Sequence, residues 1–182
     1  MRRSSCCVVL RSTASTTIFT PIGPLTLRAT EVGLRSVGFG ACRGVRGVAP
    51  PAAAQLLEHA ERELLEYFSG SRRRFEVPID WPAVTGFQRA VLEELLSVPY
   101  GEVVTYGELA ARVGRPRAAR AVGAAMAANP LPVVVPCHRV IRSGGVLGRY
   151  GDDPGKKVWL LEHEGYLSGA SGPSSGPAGR RA

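Results

Sequence analysis

Thr105-Tyr-Gly-Glu-Leu-Ala-Ala-Arg-Val-Gly-Arg-Pro-Arg-Ala-Ala-Arg-Ala-Val-Gly-Ala-Ala-Met-Ala-Ala128 reads as two short helices joined by a tight turn. Thr105 is placed to cap the first, with Glu108 three residues on to complete a capping box, and the pattern runs through Val113. Gly114-Arg-Pro-Arg117 then breaks the chain, a second helix covers residues 118–128, and Asn129-Pro130 stops it. Such a pair is the signature of a helix-turn-helix, although many helical hairpins bind nothing. Apart from Arg120, the second helix is made almost wholly of small residues, Ala121, Gly123, Ala124 and Ala127 among them. Small residues allow close approach, either to another helix or to a nucleic-acid backbone or minor groove. The side chains that a major-groove reader uses to match base edges are missing.

Downstream, residues 131–135 are apolar and read as a buried strand that delivers Pro136-Cys137-His138-Arg139. A thiol is a useful nucleophile only as thiolate, and His138 and Arg139 are the residue types that promote one. The Gly-rich segment 143–151 is suited to fold over a planar ligand. Residues 159–165 read as a closing helix whose last carboxylate, Glu164, is placed to orient a histidine.

Upstream, Phe87, Val91, Leu92, Leu95 and Leu96 give residues 85–96 one apolar helical face, closed by Pro99-Tyr100-Gly101. Residues 16–40 read as a hairpin or short meander around Pro21-Ile22-Gly23-Pro24, and residues 41–51 as a loop. Leu56, Leu57, Ala60, Leu64 and Phe68 mark an amphipathic helix over 52–68 that Gly70 ends, and Phe75, Val77 and Ile79 alternate as one more edge strand. The expected layout is a basic leader at 1–15, an N-terminal α/β domain at 16–84, a helical domain at 85–167, and a disordered tail at 168–182.

The chain has 182 residues and a formal charge of +8. Arg2, Arg3, Arg11, Arg180 and Arg181 belong to the two ends, which leaves +3 for the body. Residues 101–149 hold seven arginines against Glu102 and Glu108, a local +5. The basic character therefore maps to the helix-turn-helix and the cysteine segment, and suits an anionic partner there. No apolar run approaches the length that spans a bilayer, so no membrane partner is expected. Cys6, Cys7, Cys42 and Cys137 show no framework spacing, which points to a reducing cytoplasm. With His59 the first three offer no recognisable ligand pattern, and no metal or other cofactor is expected.

Residues 129–140, Asn-Pro-Leu-Pro-Val-Val-Val-Pro-Cys-His-Arg-Val, resemble the active-site signature of the 6-O-alkylguanine-DNA alkyltransferases. Residues 98–110, 118–123 and 159–165 fall in that family's order and spacing, and residues 20–27 and 66–70 are similar to its N-terminal domain. The likeness covers about residues 16–167. It implies an α/β (α+β) fold, a small sheet-plus-helix domain of ribonuclease H type before a mostly helical domain with a winged-helix-like helix-turn-helix.

The resemblance also implies a reaction. A guanine alkylated on its 6-oxygen, or more weakly a thymine alkylated on its 4-oxygen, leaves the duplex and gives its alkyl group irreversibly to Cys137. His138 takes the thiol proton through a bridging water, Glu164 holds the imidazole and so raises the thiolate fraction, and Tyr106 donates to the base. Arg120 fills the gap in the duplex while Thr105, Ala121, Gly123, Ala124 and Ala127 face the minor groove of double-stranded DNA. Asn129 supports the site, the carbonyls of Cys137 and Val140 bind the guanine amino group, and Pro136, Tyr150 and Gly151 complete the pocket. Gly151, without a side chain, is expected to leave space for groups larger than methyl.

The implied protein works as a monomer in the cytoplasm, on the nucleoid in a bacterium. Two departures stand out. Leu92 replaces a frequent tryptophan, and Asp152-Asp153-Pro154 replaces a glycine-rich stretch. Two other readings compete: a lesion-binding module without transfer, against which Cys137 argues, and a multiple-turnover cysteine hydrolase.

Overall fold

The computed structural model describes residues 13–41, 49–82, 84–151 and 153–167. Three antiparallel strands in sequential order, β1 (Ala14–Thr20), β2 (Gly23–Ala29) and β3 (Leu34–Phe39), form the expected meander. β1 starts two residues early, with Ala14 opposite Ala29, so the leader ends sooner than its sequence suggests. Helix α1 (Pro51–Phe68) lies across the sheet and buries Leu57, Leu64 and Tyr67 against Leu25, Leu27 and Leu34.

Residues 71–82 are not the expected strand. Only a bridge between Leu34 and Ile79 forms: Leu34 N donates to Pro78 O at 2.7 Å and Asp80 N to Leu34 O at 3.0 Å. Pro78 has no N–H to extend a ladder. The buried Glu63 of α1 satisfies the backbone instead, accepting from Glu76 N and Val77 N at 2.9 and 3.0 Å.

The second half opens with the helices α2 (Gly86–Leu95), α3 (Tyr106–Arg112) and α4 (Ala119–Ala127). The capping box at α3 is complete, since Thr105 Oγ1 accepts from Glu108 N at 3.1 Å and Glu108 Oε2 from Thr105 N at 2.8 Å. Val91, Leu92 and Leu95 are buried where α2 meets α3 and α4, and Leu92 is an ordinary core residue. Leu96 is 43% exposed; it caps the C-terminus of α2, outside the apolar face.

Residues 131–135 are buried as expected but form no strand. Leu131 O accepts from Val135 N at 2.8 Å, and Val133 turns the chain with φ +75°. Pro132 has no N–H to give a ladder. Just beyond, β5 (Val140–Ile141) pairs in parallel with β4 (Val104–Thr105), which fixes the segment after Cys137 to the start of the helix-turn-helix. The closing helix α5 (Pro154–His163) begins earlier than its apolar pattern suggests, capped by Asp153, whose carboxylate accepts from Gly155 N at 2.8 Å. Asp153 thus has a structural task, and Asp152 lies outside the described residues. No helix among the described residues is long and apolar enough to cross a membrane.

Candidate active site

Cys137 opens a single 3-10 turn, Cys137–Arg139, and is 8% exposed as a free thiol. Asn129 holds the loop that presents it: Nδ2 donates to Val135 O at 2.9 Å and Oδ1 accepts from Leu131 N at 3.0 Å. Both ends of the tight 131–135 turn are therefore tied to the end of α4.

The thiol lies on a cleft of about 570 Å³ whose lining includes Tyr106, Asn129, Tyr150 and Gly151, with Gly123 and Ala127 of α4. Seven of the fifteen expected site residues thus meet in one cavity. Thr105 is occupied as the cap of α3. Arg120, Ala121 and Ala124 are exposed on the outer surface of α4, contiguous with the cleft through Ala127. Pro136 faces a different cavity, of about 640 Å³, on the other side of the turn. Val140 lies on neither lining; its carbonyl accepts from Lys157 Nζ at 2.6 Å, and Lys157 Nζ also donates to Leu147 O.

Behind the thiol, Glu164 gathers donors. Oε1 accepts from Tyr67 Oη at 2.7 Å, His138 Nε2 at 2.8 Å and Arg139 Nη2 at 2.9 Å, and Oε2 from Arg139 Nε at 2.9 Å and Gly101 N at 3.2 Å. Gly101 is required there: its φ is +79°, and a Cβ would sit 2.9 Å from Glu164 O. Burial alone would raise the Glu164 carboxyl, but the hydrogen bonds and charges of His138 and Arg139 win and hold it well below the usual carboxylate range.

Burial pushes the His138 imidazole down, and Glu164 offsets this only in part. A neutral ring facing an ionised carboxylate must carry its proton on Nε2. That leaves Nδ1 as the basic nitrogen, buried without a partner among the described residues. Burial also pushes the Cys137 thiol up, against the partial pull of Asn129 and the Lys157 charge. Burial thus works against the thiolate in the free site, opposite in direction to the enrichment expected from the His138–Glu164 pair. Lys157, 1% exposed, is lowered by desolvation to about 8. Tyr106 and Tyr150 are both raised by burial and then by Cys137, so each phenol stays protonated as a donor.

Several participants had no sequence signal. Val37, Gly38 and Phe39 of β3 form a wall of the cleft, and the Phe39 and Tyr150 rings meet edge to face at 5.8 Å. Arg139, expected near the thiol, turns instead to Glu164. Among the described residues no cluster of His, Cys, Asp and Glu could hold a metal; Cys6, Cys7 and Cys42 lie outside them.

Cysteine-centred group transfer on a helix-turn-helix scaffold is the class that these features define. Family models match both halves of the chain: residues 14–81 match the ribonuclease-like domain of 6-O-methylguanine DNA methyltransferase and residues 86–166 its DNA binding domain. A methylated-DNA–protein-cysteine methyltransferase of Methanosarcina acetivorans is 40% identical over 149 residues, covering 80% of this chain and 94% of the relative. The Homo sapiens protein of the same name is 40% identical over 182 residues, covering 90% and 87%. In three dimensions the chain is similar to Mycobacterium tuberculosis OGT crystallised with DNA, with TM-score 0.71 and 40% identity over 81% of this chain and 90% of that one. The chain belongs to the methylated-DNA–protein-cysteine methyltransferase family.

Proposed function

We propose that this protein repairs alkylated double-stranded DNA by direct reversal, moving an alkyl group from the 6-oxygen of guanine to its own Cys137. The observation that carries the reading is the cleft itself, where one thiol shares a lining with Tyr106 and the small residues of α4 while the His138–Glu164 pair stands behind it. In the displacement, the Cys137 sulfur forms a bond to the alkyl carbon as the carbon–oxygen bond breaks, and the electron pair passes to the guanine. The thiol proton goes to His138 Nδ1 through a bridging water, and Glu164 stabilises the imidazolium. Tyr106 donates its phenolic proton toward the base as charge develops there.

Arg120, Ala121, Ala124 and Ala127 form the surface that meets the minor groove, with Arg120 occupying the place of the extruded nucleotide. Asn129 braces the site, Tyr150 and Gly151 enclose the base, and Gly151 leaves space for larger alkyl groups. Val140 O retains a second lone pair for the guanine amino group. The protein acts as a monomer. Titrating it with a duplex carrying 6-O-methylguanine tests the reading: repair must stop at one lesion per molecule, and repeated turnover would contradict it.

A further inference from the structure

Glu164 Oε1 is shared between two halves of the molecule. It accepts the His138 Nε2 proton from its own half and, at 2.7 Å, the Tyr67 hydroxyl from the last turn of α1. Tyr67 is held on both sides. His163 Nε2 donates to the Tyr67 backbone oxygen at 2.7 Å, and the two rings meet edge to face at 5.3 Å. Consecutive residues 163 and 164 thus fix the backbone and the hydroxyl of one tyrosine. A buried phenol needs some partner. Here the partner is the oxygen that faces the imidazole.

We infer that Tyr67 is a positioning residue of the transfer relay: it fixes the rotation of Glu164 and, by sharing Oε1, moderates the pull of the carboxylate on His138. The inference rests on His138 being the base of the proposed reaction. A hydroxyl donating to an anionic oxygen draws charge from it. Without that hydroxyl, Oε1 keeps more charge for the imidazolium, the ring becomes more basic, and at acid pH more of it is already protonated and unable to accept the thiol proton. The titratable groups facing His138 are Glu164 and Lys157 from the α5 side, Arg139 and Cys137 from its own turn, and Tyr150, whose ring centroid is 6.3 Å away. Tyr67, together with Tyr100, acts on it through Glu164.

The test is a Tyr67→Phe variant of the full chain, which keeps the ring and removes the donor. Ring chemical shifts of His138, one of three histidines, are followed against pH, beside the pH dependence of single-turnover methyl transfer. The His138 midpoint and the acid limb of the rate are both expected to move up by about half a unit to one unit. Midpoint and limb coinciding with those of the parent, whatever happens to the melting temperature, would overturn the inference. If the variant does not fold, 3-fluorotyrosine placed at position 67 decides. Its more acidic phenol is a stronger donor and must move the midpoint down; an unmoved midpoint overturns the inference equally. A parent protein that transfers no methyl group refutes the proposed reaction, and the histidine titration still reports separately on Tyr67.

Discussion

Arg139 grips Glu164 with two nitrogens, Nε on Oε2 and Nη2 on Oε1, each at 2.9 Å, while its third donor, Nη1, reaches Val98 O at 2.6 Å. The pair is buried, so its value depends on staying complete. Arg139→Ala leaves an ionised carboxylate without its compensating charge and is expected to destabilise the fold by about 3–5 kcal/mol. Denaturant unfolding of the variant checks this. A loss below about 1 kcal/mol would mean that water screens the site.

Acid should weaken the same contact. Glu164 titrates lower when folded than when unfolded, so its stabilisation is fully present above the ordinary carboxylate value of 4.5 and is lost as pH falls from there toward its depressed folded value. Lys157 behaves in another window. Its folded value of about 8 lies below its ordinary 10.5, so the unfolded chain binds more protons between them and stability from this group rises with pH across that interval. Comparing Glu164→Gln and Lys157→Met with the parent in unfolding experiments across pH isolates each contribution; a parent and variant with parallel pH curves would contradict the assignment.

Arg120 is exposed on α4, beside Ala121 and Ala124. Extruding a nucleotide sacrifices stacking, and a guanidinium in the gap restores part of it. Arg120→Ala should slow transfer from a duplex by about ten- to a hundredfold. Transfer from the free 6-O-methylguanine base should fall far less. Equal losses on both substrates would place Arg120 in the chemistry instead.

Gly123 has a negative φ, and an added Cβ would rest 3.9 Å from Tyr106 Cε1, an ordinary contact. Gly123→Ala should therefore stabilise the protein by up to about 1 kcal/mol through helix propensity. Because that methyl group enters the cleft beside Tyr106, transfer should slow at the same time. A variant that is more stable and equally fast would show that α4 does not approach the base.

The helix-turn-helix was legible because it is locally encoded: Thr105 and Glu108 cap it, and Gly114 and Pro116 break it, whatever surrounds them. The same holds for α1, whose apolar spacing alone places its buried face. Residues 131–135 misled for the opposite reason. A run of apolar residues reports burial, while the conformation was decided by Pro132, by the positive φ of Val133 and by the side-chain amide of Asn129, none of which an apolar pattern encodes. At the site, Cys137 and His138 declare themselves as neighbours in a recognisable motif. Phe39 on the cleft wall and Tyr67 on Glu164 are separated from it by about half the chain, and no periodicity encodes a contact across that distance.

The most direct measurement is the mass of the protein and of its Cys137 peptide after incubation with a duplex containing one 6-O-methylguanine. The account predicts the gain of a single methyl group, located on Cys137, with an equal amount of guanine restored in the DNA and no gain in a Cys137→Ser variant. Restored guanine with an unmodified Cys137, or a methyl group on any other residue, would contradict it.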